Sequence, residues 1–305
     1  MKAVLLTGHG GPEMLRWGEA PDPVAGPGEV VVDIHAASVN AADYKVRQGG
    51  ANLAFPHILG RDFSGVVAAR GEGVGDFAIG DAVFGVTDQG IEGCYAEKLA
   101  IAAAIIARKP EGLGHVEAAA MGLTSLTALW AVEDTARLEP SETILVHGGA
   151  GGVAGFAIQL AKHLGATVVT TASAGNHDYV RSLGADRVID YNREDFVETV
   201  TDCDVVFDTV GGQVQVRSYD VLRPGGRLVW IAAAPPGFEP PRRDVAVLRP
   251  NVARDRAHLE RMKALWAAGA VWPPAITRYK LADAAEAHRV SEGRHLQGKL
   301  VLEMR

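Results

Sequence analysis

One stretch in the middle of the chain, Gly148-Gly149-Ala150-Gly151-Gly152-Val153-Ala154-Gly155, has the residue types and spacing to hold an anion. Glycines carry no Cβ, so a pyrophosphate can come close to backbone N–H groups, and a helix starting there adds the positive end of its dipole. Gly149-x-Gly151-x-x-Ala154 fits the dinucleotide form of such turns. The Gly-Lys-Ser/Thr ending of a nucleoside-triphosphate loop is absent. The spacing therefore assigns Gly149, Ala150, Gly151, Gly152 and Val153 to a dinucleotide cradle.

A glycine turn can also be purely structural, so its neighbours decide. An apolar strand, Thr143-Ile144-Leu145-Val146-His147, precedes it. Apolar residues at Val153, Phe156, Ala157, Leu160, Ala161 and Leu164 follow at the spacing of one helix face. Strand, turn and helix together favour dinucleotide binding. A fold of this kind that prefers NAD carries a carboxylate at the end of its second strand, on the ribose 2′-hydroxyl. Here that strand is Ala166–Thr171, and no Asp or Glu appears before Asp178. Ser173 and Asn176 offer hydrogen-bond donors to a 2′-phosphate instead, so the expected cofactor is NADPH. The alternative for Ser173 and Asn176 is a capping role on the helix that starts there, and the two roles are compatible.

The chain of 305 residues is long enough for two domains. Its 48% hydrophobic and 22% charged content is that of an ordinary globular protein. A net charge of −7 gives no general attraction for nucleic acid or an anionic membrane. Two cysteines, Cys94 and Cys203, do not make a disulfide framework. The N-terminal apolar run is too short for a signal peptide, and no apolar stretch is long enough to span a bilayer. A cytoplasmic protein is expected.

The first third reads as all-β, with short runs at 30–35, 65–69, 81–86 and 98–106 separated by Gly/Pro clusters. From an Ala/Leu-rich helix at 116–131 onward, strands and helices alternate, which predicts βαβ units and a doubly wound parallel sheet. A Pro-rich loop at 232–241, a strand at 245–248, a helix at 255–268, a helix at 281–290 and a strand at 298–303 complete the pattern. That tail is too small for a domain and is expected to pack on the first module.

Several motifs now fall in a recognisable order. Gly10-Gly11-Pro12-Glu13-Met14-Leu15 is followed by Asn40-Ala41-Ala42-Asp43-Tyr44-Lys45-Val46-Arg47-Gln48-Gly49 and by Leu59-Gly60-Arg61-Asp62-Phe63-Ser64-Gly65. Gly122-Leu123-Thr124-Ser125-Leu126-Thr127-Ala128, Leu183-Gly184-Ala185-Asp186 and Gly298-Lys299-Leu300-Val301-Leu302 come after them. Over essentially its whole length the chain resembles the zinc-free quinone oxidoreductase (zeta-crystallin-like) branch of the medium-chain dehydrogenases/reductases. It departs from that pattern at Ala41, where the family has Pro, and at Ala154, where a third glycine is common.

The resemblance implies an α/β architecture: a GroES-like β-barrel domain, 1–115 completed by 272–305, and an inserted Rossmann domain, 116–271. It implies that Asn40, Tyr44 and Lys45 line the substrate end, and that Thr127, Tyr191 and Lys299 join the cofactor contacts. Tyr44 and Lys45, neighbours on a segment expected to be extended, should point to opposite sides, so only one should face the substrate. The alternatives are a turn role for Asn40, an Arg61–Asp62 ion pair, a packed Cys94 and a solvated strand end at Lys299. Zinc-dependent relatives place a Cys near Asn40, a His where Arg61 stands and a four-Cys lobe, none of which this sequence supplies. The expected function is metal-free hydride transfer from NADPH to a quinone or an α,β-unsaturated carbonyl. An enoyl-thioester reductase and a non-enzymatic NADPH-binding protein are the alternatives. Relatives dimerise through the edge strand, here near 245–248, so a homodimer is expected.

Overall fold

The computed structural model describes residues 1–88 and 90–304, and by contacts it divides into two units. The first comprises Met1–Leu123, Arg254–Ala267 and Pro273–Arg305; the second comprises Thr124–Ala253 and Ala268–Trp272. These limits differ from the expected 115/116 and 271/272. The first half of the long helix stays with the β-rich unit because Ala119 and Ala120 bury themselves against Ala36 and Val301.

The chain begins with strands β1 (Lys2–Leu6), β2 (Leu15–Glu19) and β3 (Glu29–Val39). Helix α1 (Ala41–Lys45) follows, then a wide helical turn at Val46–Gly50, and β4 (His57–Ile58). Next come β5 (Asp62–Arg70), β6 (Ala82–Val86), β7 (Lys98–Ala102), β8 (Ile106–Arg108) and helix α2 (His115–Leu129). The single strand expected at 98–106 is thus two strands broken at Ala103–Ile105, a short 3₁₀ turn. β3 is a central strand, pairing with β5 and β7, and its near-continuous apolar sequence reflects burial on both faces.

The second unit runs β9 (Thr143–His147), α3 (Gly152–His163), β10 (Thr167–Ala172), α4 (His177–Ser182), β11 (Arg187–Asp190) and α5 (Phe196–Thr199). It continues with β12 (Cys203–Asp208), α6 (Gln213–Arg217), β13 (Leu222–Trp230) and β14 (Ala246–Leu248). These strands form a six-stranded sheet in the order β11-β10-β9-β12-β13-β14, every pairing parallel. That is the doubly wound arrangement of dinucleotide folds.

The chain then returns to the first unit with α7 (Arg256–Ala267), β15 (Ile276–Lys280), α8 (Ala284–Glu292) and β16 (Lys299–Glu303). Helix α7, expected with the second domain, is tied to the first because the Arg256 guanidinium donates to the carbonyls of Ala103 and Ile106 and pairs with Asp76. β16 pairs antiparallel with β3 and parallel with β15, a strand the sequence reading did not foresee. Leu281, Ala284, Ala287, Leu300 and Leu302 enter the same core as Val32, Ile34, Phe63 and Tyr95. Among the described residues, no helix is long and apolar enough to cross a membrane.

Candidate active site

In the second unit, β9 ends at His147 and the chain turns through Gly148, whose φ of +74° is one that L side chains rarely adopt. A Cβ on Gly149 would sit 2.1 Å from Thr170 Oγ1, so this glycine is demanded by sheet packing. Gly151 is different. Its φ of −74° and ψ of 159° suit any residue, and a Cβ there would meet only the Gly148 carbonyl, at 3.4 Å. The glycine at 151 leaves space in front of the N-terminus of α3, whose first N–H groups have no partner within the helix. Gly151, Gly152 and Val153 are half-buried there, while Ala150 and Ala154 are buried beneath them. Backbone donors, a helix dipole and a missing Cβ fit the pyrophosphate of a dinucleotide.

The turn is anchored from below. Thr171 Oγ1 accepts the Gly148 N–H at 3.1 Å and lies 3.2 Å from His147 Nδ1. Ser218 Oγ, 3.1 Å from His147 Nε2, spends its own proton on the Val214 carbonyl. His147 therefore donates from Nε2 and accepts at Nδ1. Burial holds it neutral, its pKa lowered to about 3.

Past β10, Ser173 and Asn176 are partly buried, and the Asn176 amide donates to Ser173 Oγ at 3.1 Å. Neither side chain caps a helix, so the capping alternative does not hold. Asp178 is fully exposed and pairs with Arg181. Tyr191 lies just beyond β11 and is 43% exposed; Thr127 is buried in α2.

The first unit carries a dense polar cluster. Residues 41–45, expected to be extended, form helix α1, because Asn40 and Asp43 stand at its N-cap and N3 positions and the Asn40 N–H donates to Asp43 Oδ2 at 2.8 Å. Successive side chains on this helix are about 100° apart rather than opposed. Tyr44 is buried and Lys45 exposed. Asn40 is more than a turn residue. Its amide Nδ2 donates to Asp62 Oδ1 at 2.8 Å, and its Oδ1 accepts from Lys299 Nζ at 2.6 Å. Lys299, expected as a cofactor contact or a solvated strand end, is 5% exposed, and its ammonium also donates to the Val39 carbonyl. Burial lowers its pKa, while the Asp62 and Asp43 carboxylates oppose the shift.

Arg61 does not pair with Asp62. Its guanidinium meets Glu92 at 3.1 Å and lies 3.9 Å from Asp43, while Asp62 accepts from Ser38, Asn40 and the Leu123 N–H. A second chain of hydrogen bonds meets Asp43 from the other side. Arg47 Nε donates to His288 Nδ1, which leaves Nε2 to donate to the Tyr95 hydroxyl, and that hydroxyl donates to Asp43 Oδ2. Burial raises the Asp43 carboxyl to about 6, against the pull of the Asn40 N–H and Arg61. Sequence reasoning missed Asp62, Tyr95 and His288 as organisers. Asp62 could have been found in the Gly60-Arg61-Asp62 motif; Tyr95 and His288 carried no local signal.

A zinc ion does not fit these residues. Arg61 supplies a cation committed to Glu92, Cys94 is a buried thiol pushed upward by burial and nearby carboxylates, and among the described residues no three His, Cys, Asp or Glu side chains converge.

The chain matches two family descriptions: "Alcohol dehydrogenase GroES-like domain" over residues 26–111 and "Zinc-binding dehydrogenase" over residues 183–302. It is similar to the structure of a quinone oxidoreductase from Coxiella burnetii, 34% identical with a TM-score of 0.92, covering 100% of this chain and 99% of that one. It is similar also to an Escherichia coli quinone oxidoreductase complexed with NADPH, 29% identical with a TM-score of 0.91, covering 99% of this chain and 100% of that one. Among curated relatives, a 2-methylene-furan-3-one reductase of Solanum lycopersicum is 37% identical over 253 residues, 78% of this chain and 64% of that protein. A mycocerosic acid synthase-like polyketide synthase of Mycobacterium tuberculosis is 32% identical over 92% of this chain, which spans only 14% of its length.

Proposed function

Because the chain belongs to the medium-chain dehydrogenases/reductases, in their quinone oxidoreductase-like group, we propose that it is an NADPH-dependent reductase of quinones or α,β-unsaturated carbonyls. The observation that carries this reading is a helix N-terminus kept open by Gly151, beside a second strand whose end presents Ser173 and Asn176 in place of a carboxylate. NADPH supplies a hydride; the rest belongs to the protein. N–H groups of Ala150, Gly152 and Val153 hold the pyrophosphate, while those of Gly149 and Gly151 are spent on the Thr171 and Gly148 carbonyls and shape the turn; Ser173, Asn176 and Tyr191 take the phosphorylated ribose. Thr127 and Lys299 are the remaining cofactor contacts.

Asn40, Tyr44 and Lys45 serve the acceptor. Once hydride reaches the electron-poor carbon, negative charge develops on the acceptor's oxygen, and fixed donors and cations stabilise it. Asn40 is held rigidly for such a task between Asp62 and Lys299. The protein is taken to work in the cytoplasm as a homodimer, with β14 at the edge of its sheet available for pairing.

A second reading, reduction of an enoyl thioester, draws on the likeness to the mycobacterial polyketide synthase. The test is NADPH oxidation with a small ortho-quinone, an alkyl vinyl ketone and a crotonyl thioester. Turnover of the first two, with NADPH well ahead of NADH, is expected. Preference for the thioester establishes the second reading, and a strong NADH preference overturns the cofactor assignment. NADPH binding without turnover on any acceptor turns the chain into a binding protein.

A further inference from the structure

We infer that Asp62 is a positioning residue, which fixes the Asn40 amide so that its oxygen faces the Lys299 ammonium. The inference rests on the reductase reading for its consequence in turnover, but its geometry stands independently.

An asparagine amide can rotate by half a turn, exchanging donor and acceptor. Between these two neighbours it cannot. Lys299 offers only donors, so the atom facing it at 2.6 Å must be the amide oxygen. Asp62 Oδ1, which faces it at 2.8 Å, also accepts the Ser38 hydroxyl, so the atom turned toward Asp62 is the amide nitrogen. Rotation would set carbonyl against carboxylate and NH₂ against ammonium at once.

Asp62 is itself locked. It is fully buried, Oδ1 receives both Ser38 Oγ and Asn40 Nδ2 at 2.8 Å, and Oδ2 receives the Leu123 N–H at 3.0 Å. Three donors from the protein and full burial hold it in place. Its position on β5 and that of Asn40 at the end of β3 are set by strand pairing, which puts Ser38 opposite Asp62 in register. The acid thus converts the rigidity of the sheet into the orientation of one amide.

The test combines a double-mutant cycle with a spectroscopic readout that needs no turnover. Asp62→Asn is expected to lower kcat at least ten-fold in the otherwise unchanged protein and less than two-fold in an Asn40→Ala background. Equal losses in both backgrounds overturn the inference. In ¹⁵N spectra the Asn40 side-chain NH₂, assigned by its disappearance in Asn40→Ala, is expected to exchange slowly with solvent and to shift and exchange faster in Asp62→Asn. An unchanged resonance overturns the inference even where no acceptor is turned over, which separates its failure from that of the reductase reading.

Should Asp62→Asn fail to fold, Asn40→Asp decides. It keeps an acceptor for Lys299 but sets a carboxylate against Asp62, so it is expected to be more damaging than Asn40→Ala. A milder effect than Asn40→Ala overturns the proposal.

Discussion

Asp43 shows how much a residue's role depends on partners far away in sequence. Its carboxyl receives the Asn40 N–H from its own helix and the Tyr95 hydroxyl from 52 positions away. Its raised pKa has a definite sign. The folded value of about 6 lies above the ordinary carboxylate value, so the folded chain holds a proton that the unfolded chain has released. The stability this contributes is full below pH ~4 and is lost as pH rises to ~6. Relative to Asp43→Asn, the wild-type protein is expected to lose roughly 2 kcal/mol between pH 4 and pH 7, read from denaturant melts; a pH-independent difference contradicts this. The motifs around Asn40 and Lys299 marked both residues as candidates. What the motif could not supply was their mutual contact, because an Asn and a Lys apart in sequence look alike whether buried together or solvated.

Elements were legible where the signal was local. The strand, glycine turn and helix at 143–164 form one continuous pattern, and the structure places β9 and α3 there. Helix α1 was not legible, since its five residues span little more than a turn and its N-cap hydrogen bonding became visible only in three dimensions. β15 was missed because its pairing comes from β16, not from its own alternation. The glycine turn also separates two functions that sequence alone merges. Gly149→Ala is expected to cost about 1–3 kcal/mol, because the new Cβ collides with Thr170, whose hydroxyl is bonded to the Val146 carbonyl. Gly151→Ala is expected to melt like the wild type yet bind NADPH roughly ten-fold or more weakly, since its Cβ projects where the pyrophosphate would lie. Thermal melts and fluorescence titration check the pair; a stable, tightly binding Gly151→Ala protein contradicts the cradle.

The molecule as a whole carries an acid sensitivity built from two buried imidazoles, His147 and His288, and the half-buried His115. Burial lowers the pKa of His147 and His288 to about 3 and that of His115 to about 4. Their unfolded values are higher, so unfolding takes up protons, and the stability they contribute is full above pH ~6.5 and lost as pH falls. Asp43 works in the opposite direction, leaving a net uptake of about two protons near pH 5 from these four groups. Stability is expected to fall by roughly 3 kcal/mol per pH unit there, and calorimetry in buffers of different ionisation enthalpy counts the protons directly. The two-domain plan was readable because each half has its own texture, strand-and-turn or strand-and-helix; the boundaries within α2 and before α7 were not, since they depend on which core a helix face reaches. The return of β16 to β3 has a consequence for biosynthesis. Translation delivers Asn40 259 positions ahead of Lys299, so the end of β3 must wait for the strand that pairs with it there. The second unit, nearly continuous in the chain, is free to fold during that wait. A nascent chain can thus order its second unit before β16 pairs with β3 and carries the Lys299 ammonium to the Asn40 amide.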